Sequence, residues 1–353
     1  MTIYDSKQWI NDLNMVISGN EDLEKLSGKT IYITGCTGLI GSALIDVLIR
    51  WNEMNDGKIY IIAAGRNSNR IKKRFGKYTE CDWFDYVYYD ATVSNNIIPQ
   101  SDYAICAAGN ATPNRIVKEP VETIWGNVNG VKCVLDAMRD GAIRKMLYVS
   151  SSEIYGVKND NEPYKKEEYG FIDILNPRNS YSVGKRAVET LCASYASEYD
   201  TDVVIVRPGH IYGPTASQGD IRVSSLWAYE AAKGRDIVMK SKGMQIRSYC
   251  HCLDCATAII KVLISGEKAN AYNISNPNSV FSISDLAGML AKAGGVAVRY
   301  EIPEESEKKG FNPMNNSALD SSELVSLGWK GMFDPNMGIN DTVKVIREIY
   351  GGY

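Results

Sequence analysis

The chain has 353 residues, 44% of them hydrophobic, with 39 Lys and Arg against 42 Asp and Glu and a formal net charge of −3. This composition excludes a disordered or fibrous protein and gives room for two domains. No block of five or six basic residues offers a surface for a polyanion, so nucleic acid is not expected as a partner, whereas a small anionic ligand stays open.

The segment from Ile3 to Leu26 predicts one or two amphipathic helices, with Trp9, Ile10, Leu13 and Val16 spaced for one face, and reads as a packing extension over residues 1–28. From Lys29 strand and helix alternate. We expect strand Thr30 to Ile33, helix Leu39 to Trp51, strand Lys58 to Ala63, helix Asn69 to Phe75, strands Tyr86 to Tyr89 and Tyr103 to Ala107, and helix Val121 to Asp140. Strand Lys145 to Ser150, a helix over Tyr181 to Tyr195 and strand Thr201 to Arg207 continue the series. Such winding predicts an α/β, Rossmann-type, doubly wound parallel sheet. Past Pro208 the regularity breaks at Gly209, Gly213 and Pro214, before helices near Ile283 to Ala293 and Asp341 to Ile349. We therefore expect a nucleotide-binding domain over 1–208, with a returning segment near 243–266. A smaller α/β domain over 209–353 should cover the carboxyl ends of the strands, where open α/β sheets bind ligands.

Eight cysteines, several of them within apolar strand-like runs, do not form a disulfide framework, and Met1 is not followed by the apolar core of a signal peptide. A cytoplasmic location is expected. The longest apolar runs, Ile59 to Ala64 and Val203 to Val206, break within a few residues, so no membrane span is expected either.

The run Thr34-Gly35-Cys36-Thr37-Gly38-Leu39-Ile40-Gly41 follows a predicted strand and opens a predicted helix. In that context a Cβ at Gly35 obstructs the turn, at Gly38 keeps the backbone from a pyrophosphate, and at Gly41 holds helix off strand. Asp90, after the third strand, is placed to accept from an adenine amino group. The second strand ends Ala63-Ala64-Gly65-Arg66-Asn67, with no acidic side chain for the ribose hydroxyls and an arginine suited to a 2′-phosphate. NAD or NADP is the expected cofactor, with Arg66 favouring NADP.

Tyr181 and Lys185 are four residues apart and share a helix face, so a protonated lysine is expected to favour the ionised phenol by on the order of 1–3 pKa units. Lys185 can also hydrogen-bond the nicotinamide ribose. Ser151, at the end of a strand in Val149-Ser150-Ser151-Ser152-Glu153-Ile154-Tyr155-Gly156, can donate to a reacting oxygen.

With the segments around Asp90, Ala107, Asn127, Pro208 and Arg247, these motifs resemble an extended short-chain dehydrogenase/reductase of the nucleotide-sugar epimerase/dehydratase type. The resemblance runs from Lys29 to about Ile349. It implies Ser151, Tyr181 and Lys185 as a catalytic triad, Asn127 as support for the active-site helix, and Glu153 as a group acting after a 4-keto sugar has formed. It also implies cofactor contacts at Ala91, Ala107, Ala108 and Pro208, and nucleotide-sugar contacts at Ser152, His210, Arg222 and Arg247. A homodimer pairing the helices near Val121 to Asp140 and Tyr181 to Tyr195 is implied as well.

Within the family, Pro177-Arg178, Gly184-Lys185-Arg186, Asp220-Ile221-Arg222-Val223 and Gln245-Ile246-Arg247-Ser248 look like the UDP-glucuronate decarboxylase branch. Ser152 stands where dehydratases carry an aspartate, and a hydroxyl is too weak an acid for water loss. A β-keto carboxylate needs no such acid to lose CO2. His210 replaces a usual asparagine and Cys106 a frequent histidine. Two other readings stay open: an NADPH-dependent reductase of a nucleotide-linked keto-sugar, such as a CDP-ketose giving a CDP-polyol, and a catalytically silent nucleotide-binding module. Cys250-His251-Cys252-x-x-Cys255 lacks the paired spacing of a structural zinc site, so no metal is expected.

Overall fold

The computed structural model describes residues 2–301 and 314–351. The extension forms α1 (Lys7–Ile17) and the short α2 (Glu21–Glu24). There follow β1 (Thr30–Thr34), α3 (Leu39–Met54), β2 (Tyr60–Gly65), α4 (Ser68–Phe75), β3 (Phe84–Tyr88), β4 (Ser101–Cys106), α5 (Pro113–Lys118), α6 (Pro120–Arg139), β5 (Ile143–Val149), α7 (Ser180–Tyr199) and β6 (Asp202–Pro208). The rest comprises β7 (His210–Tyr212), α8 (Val223–Ala232), β8 (Ile237–Met239), β9 (Ile246–His251), α9 (Cys252–Ser265), β10 (Ala271–Ile274), β11 (Val280–Ser282), α10 (Ile283–Gly294), β12 (Val298–Tyr300), β13 (Asn316–Ser317), a short helix Ser322–Ser326 and a C-terminal helix Pro335–Tyr350.

The main sheet has the order β10-β6-β5-β4-β1-β2-β3, and every neighbouring pair is parallel. Both faces are covered, as parallel strands require. Ile31, Ile33, Ile105, Leu147 and Val204 point into a core shared with α1, α3 and α9. Tyr32, Ala104, Met146, Tyr148 and Val203 alternate with them into a second core against α6 and α7. The order reverses between β1 and β4, which opens the crevice where such sheets take ligands.

Of the stretch 243–266, α9 returns to the main sheet. α9 is apolar on nearly every side, and burying it takes both α3 and the sheet; β10 then completes the sheet edge beside β6. β9 belongs elsewhere. It is the centre of a small sheet, antiparallel to β11 and parallel to β7 and β13, and a third core gathers around α8, α10 and the C-terminal helix.

Asp46 of α3 fastens the extension. Its buried carboxylate accepts from Tyr4 Oη at 2.7 Å, Trp9 Nε1 at 3.2 Å and Arg74 Nη2 at 2.5 Å, so the charge is neutralised where it is desolvated. Asp12 of α1 is buried without such help. One oxygen accepts from Gln8 Nε2 at 2.8 Å and the other has no partner, and burial, with Asp341 and Glu348 nearby, pushes its carboxyl up to about 7. A folded-state pKa above the unfolded value means stability is fully present below about pH 4 and is lost as pH rises towards 7. Asp12→Asn is therefore expected to raise the thermal midpoint at about pH 8, by on the order of 2 kcal/mol in stability, with little effect near pH 4. Thermal melts of both proteins across that range check this; an Asp12→Asn variant no more stable than the parent at the alkaline end contradicts it.

Candidate active site

The glycine loop is shaped by contact. Gly35 has φ +70°, and a Cβ there would lie 2.6 Å from the Ala107 carbonyl oxygen and 2.8 Å from the Ala108 nitrogen. One on Gly41 would lie 2.4 Å from the Gly35 carbonyl oxygen. Gly38 begins α3 without a side-chain cap, so the amides of Leu39, Ile40 and Gly41 have no partner inside the helix and form a ready anion site. The backbone cradle fits a dinucleotide pyrophosphate. From below, Thr215 Oγ1 donates to the Leu39 carbonyl at 2.8 Å and ties the segment after β7 to this loop.

Arg66 is exposed just past β2, and Arg70 in the next helical turn donates to the Thr37 carbonyl at 3.5 Å. Asn67, which caps α4, sets their spacing by accepting from the Arg70 amide. Arg70 carries no sequence signal of its own, since it lies beyond the strand end where a ribose partner is expected. Asp90 is largely turned to its own loop: its Oδ1 accepts from the Thr92 amide at 2.9 Å and hydroxyl at 2.8 Å. The Ala91 carbonyl accepts from Asn129. Pro208 closes β6 opposite Ile274.

Tyr181 and Lys185 are both buried on α7. Lys185 Nζ donates to the Val149 carbonyl at 2.8 Å and stands 4.7 Å from the Tyr148 ring centre and 5.8 Å from that of Tyr181. Burial lowers the ammonium to about 8. The Tyr181 phenol is pushed up to about 12, first by burial and then by the Glu153 charge, while hydrogen bonding with Ser151 and the charges of Arg222 and Arg178 pull it down. Against the expected help from Lys185 to the ionised form stands the burial of the phenol. The ammonium faces a backbone carbonyl and an aromatic ring, so desolvation of the phenol wins.

Ser151 caps the 3-10 turn Ser152–Tyr155 by accepting from the Glu153 amide, which sets Glu153 at the mouth of the site. There Glu153 Oε2 meets Arg178 Nη1 and Ser182 Oγ, each at 3.3 Å. Ser152 is buried in the same turn. Asn127 Nδ2 donates to the Thr123 carbonyl, and its buried Oδ1 has no protein partner. Gly109 lies against both groups: a Cβ on it would be 3.2 Å from Asn127 Oδ1 and 3.7 Å from Lys185 Nζ.

Three more predicted residues converge from the small sheet and its helix. Arg247 on β9 is 3% exposed and among the described residues donates only to the carbonyls of Ile246 and Asn315, with no carboxylate, and burial depresses its pKa. Arg222 is held in a fork by Asp220, which itself accepts from Ser225. His210 leaves Nδ1 buried and unpartnered. Burial and the charges of Arg247 and Arg222 hold its imidazole neutral, down at about 3. Tyr181 feels Arg222, and Arg247 feels Glu153, so these side chains share one electrostatic neighbourhood. Cys106 is packed 3.6 Å from Met146 Sδ. Among the described residues no three His, Cys, Asp or Glu side chains are grouped to hold a metal, and His251 stacks on Phe333 with ring centres 4.0 Å apart.

A glycine cradle at the sheet's switch point, facing a buried tyrosine and lysine, matches one family model, the NAD dependent epimerase/dehydratase family, over residues 31–275. The chain belongs to that family. It is therefore an NAD-dependent enzyme of the epimerase/dehydratase type. Among its relatives, "UDP-glucuronic acid decarboxylase 6" of Arabidopsis thaliana is 31% identical, with 91% of this chain and 89% of the relative covered. "UDP-glucuronic acid decarboxylase 1" of Xenopus tropicalis is 26% identical over 92% and 74%. A solved dTDP-glucose 4,6-dehydratase from Streptomyces venezuelae, with NAD and TYD bound, superposes with a TM-score of 0.76 at 20% identity, covering 92% of this chain and 98% of that one. No helix among the described residues is long and apolar enough to cross a membrane.

Proposed function

We propose that this family member acts on a nucleotide sugar in the manner of a UDP-glucuronate decarboxylase, passing through a 4-keto sugar. The observation that carries the reading is the placement of Glu153 beside Tyr181 and Ser151, with Arg247 and Arg222 opposite. Likeness to two decarboxylases over nine-tenths of the chain supports it.

A nicotinamide dinucleotide, when bound, supplies the hydride acceptor. Leu39, Ile40 and Gly41 amides would hold its pyrophosphate, with Gly35, Thr37, Ala107 and Ala108 shaping the cradle. Arg247 and Arg222 hold the nucleotide diphosphate, and Tyr181, once its phenol is ionised, takes the proton of the 4-hydroxyl while Ser151 hydrogen-bonds the same oxygen. The ketone so formed lies β to the sugar carboxylate, and CO2 departs with its electron pair left on the ring carbon. Ser152 suits this step because no acid is asked of it. Glu153 then manages the proton returned to that carbon. Tyr181 gives its proton back when the ketone is reduced again. A homodimer built on α6 and α7 in the cytoplasm completes the proposal.

A second reading is favoured by Arg66 and Arg70, which flank the loop with no acidic residue between β2 and α4. Two cations there suit a 2′-phosphate and a reductase that consumes NADPH. One experiment separates the readings. Purified protein is denatured and its dinucleotide identified by mass; native protein is then given UDP-glucuronate or a CDP-linked ketose while CO2 and reduced-cofactor absorbance are followed. We expect CO2 from UDP-glucuronate with no net change in reduced cofactor. Stoichiometric NADPH oxidation with the ketose, and no CO2, would replace the first reading with the second.

A further inference from the structure

Lys185 is an ammonium that is only 4% exposed and among the described residues has no carboxylate hydrogen-bonded to it. The nearest candidate, Glu189 one turn along α7, is bound on both oxygens by Arg207 and by Ser150 Oγ. Arg207 in turn donates to Tyr155 Oη, Tyr169 Oη and the Lys166 carbonyl, so this pair forms a closed unit. Cys106 of β4 and Cys192 of α7 are the other titratable groups bearing on the lysine, and burial raises both thiols and keeps them uncharged. Asn127 of α6 offers an uncharged oxygen beside Gly109. What remains within reach of Nζ is one backbone carbonyl and the faces of Tyr148 and Tyr181, of which Tyr148 is nearer by 1.1 Å (4.7 against 5.8 Å).

Tyr148 is fully buried on β5, and its hydroxyl has no partner. An orphaned phenol in a core costs free energy, so the hydroxyl does not account for the residue. The ring does. A π face within about 6 Å of a desolvated ammonium favours its charged form.

We propose that Tyr148 is a positioning residue for Lys185, its ring face holding the ammonium in place beneath Tyr181 where no described carboxylate is bonded to it. The inference rests on the reading of Lys185 as part of the hydride-transfer site for its consequence in turnover, but not for the contact itself. Burial lowers the ammonium to about 8, so a ring face that favours its charge acts on a group that titrates close to physiological pH.

The test uses full-length protein labelled with 13C at lysine Cε, the Lys185 signal being assigned by its absence in Lys185→Met. Phenylalanine and its mono-, di- and trifluorinated analogues placed at position 148 keep the shape of the side chain and weaken the ring face stepwise. We expect the Lys185 titration midpoint to be unchanged in Tyr148→Phe and to fall with each fluorine, by about one pH unit across the series. Tyr148→Leu should lower it as far. A midpoint that ignores fluorination, or that moves as much in Tyr148→Phe as in Tyr148→Leu, overturns the proposal. The same variants are assayed for CO2 release from UDP-glucuronate. We expect the alkaline limb of that pH profile to move with the midpoint; if the midpoint moves and the limb stays, the platform stands and the assigned role of Lys185 falls.

Discussion

Tyr181→Phe is expected to lower kcat with UDP-glucuronate about 10³-fold, the middle of the range for a positioned acid–base group, while dinucleotide affinity stays unchanged. Ring, packing and the face turned to Lys185 all survive this change; only the oxygen that carries the proton is lost. The residue is 7% exposed, and the phenol is pushed up to about 12 by burial and by Glu153. Removing that neighbouring charge is therefore as informative as removing the oxygen. Glu153→Gln deletes the anion that raises the phenol and should move the acid limb of the pH–rate profile to lower pH, even as it removes the group proposed for proton return. Turnover by the Tyr181→Phe enzyme equal to that of the parent, with substrate and dinucleotide both bound, would show that Tyr181 is not the base.

Apart from α9 and β10, the main strands and helices of the large sheet were legible because their signals are local. β1 is a five-residue run of β-branched and aromatic residues, α3 is an apolar helix opened by glycines, and both periods are written in consecutive residues. The small sheet was not, since β7, β9, β11 and β13 are two to six residues long and pair with partners far along the chain. No window contains that information. The same distinction governs the site. Gly35, Tyr181 and Lys185 announce themselves by spacing, whereas the charge balance that sets their chemistry comes from groups remote in the chain or folded back on it: Glu153 against Tyr181, Arg247 against His210, Asp220 around Arg222. The help expected from Lys185 to an ionised Tyr181 is opposed by burial, which spacing does not display. Helical spacing gives the neighbour, but the degree of burial decides the sign.

Arg247→Met is expected to weaken binding of UDP-glucuronate roughly a hundredfold, about 3 kcal/mol, without loss of folding stability. The two halves of this prediction come from one observation. A guanidinium that is 3% exposed, depressed by its burial and hydrogen-bonded among the described residues by two carbonyls alone, is a cation held out of water with no carboxylate bonded to it there. Replacing it with an apolar side chain of similar length removes a desolvated charge from the free protein, so the thermal midpoint should hold or rise. An arriving diphosphate would meet a donor to which no described carboxylate is hydrogen-bonded, and its loss falls mainly on binding. Arg222 differs in this respect. Asp220 already forks it, so Arg222→Met leaves that aspartate unpaired and should cost stability as well as affinity. Calorimetric titration with UDP-glucuronate and thermal melts of the two variants separate the cases. If Arg247→Met binds as tightly as the parent, or melts markedly lower, the buried cation is part of the scaffold and the diphosphate is held elsewhere.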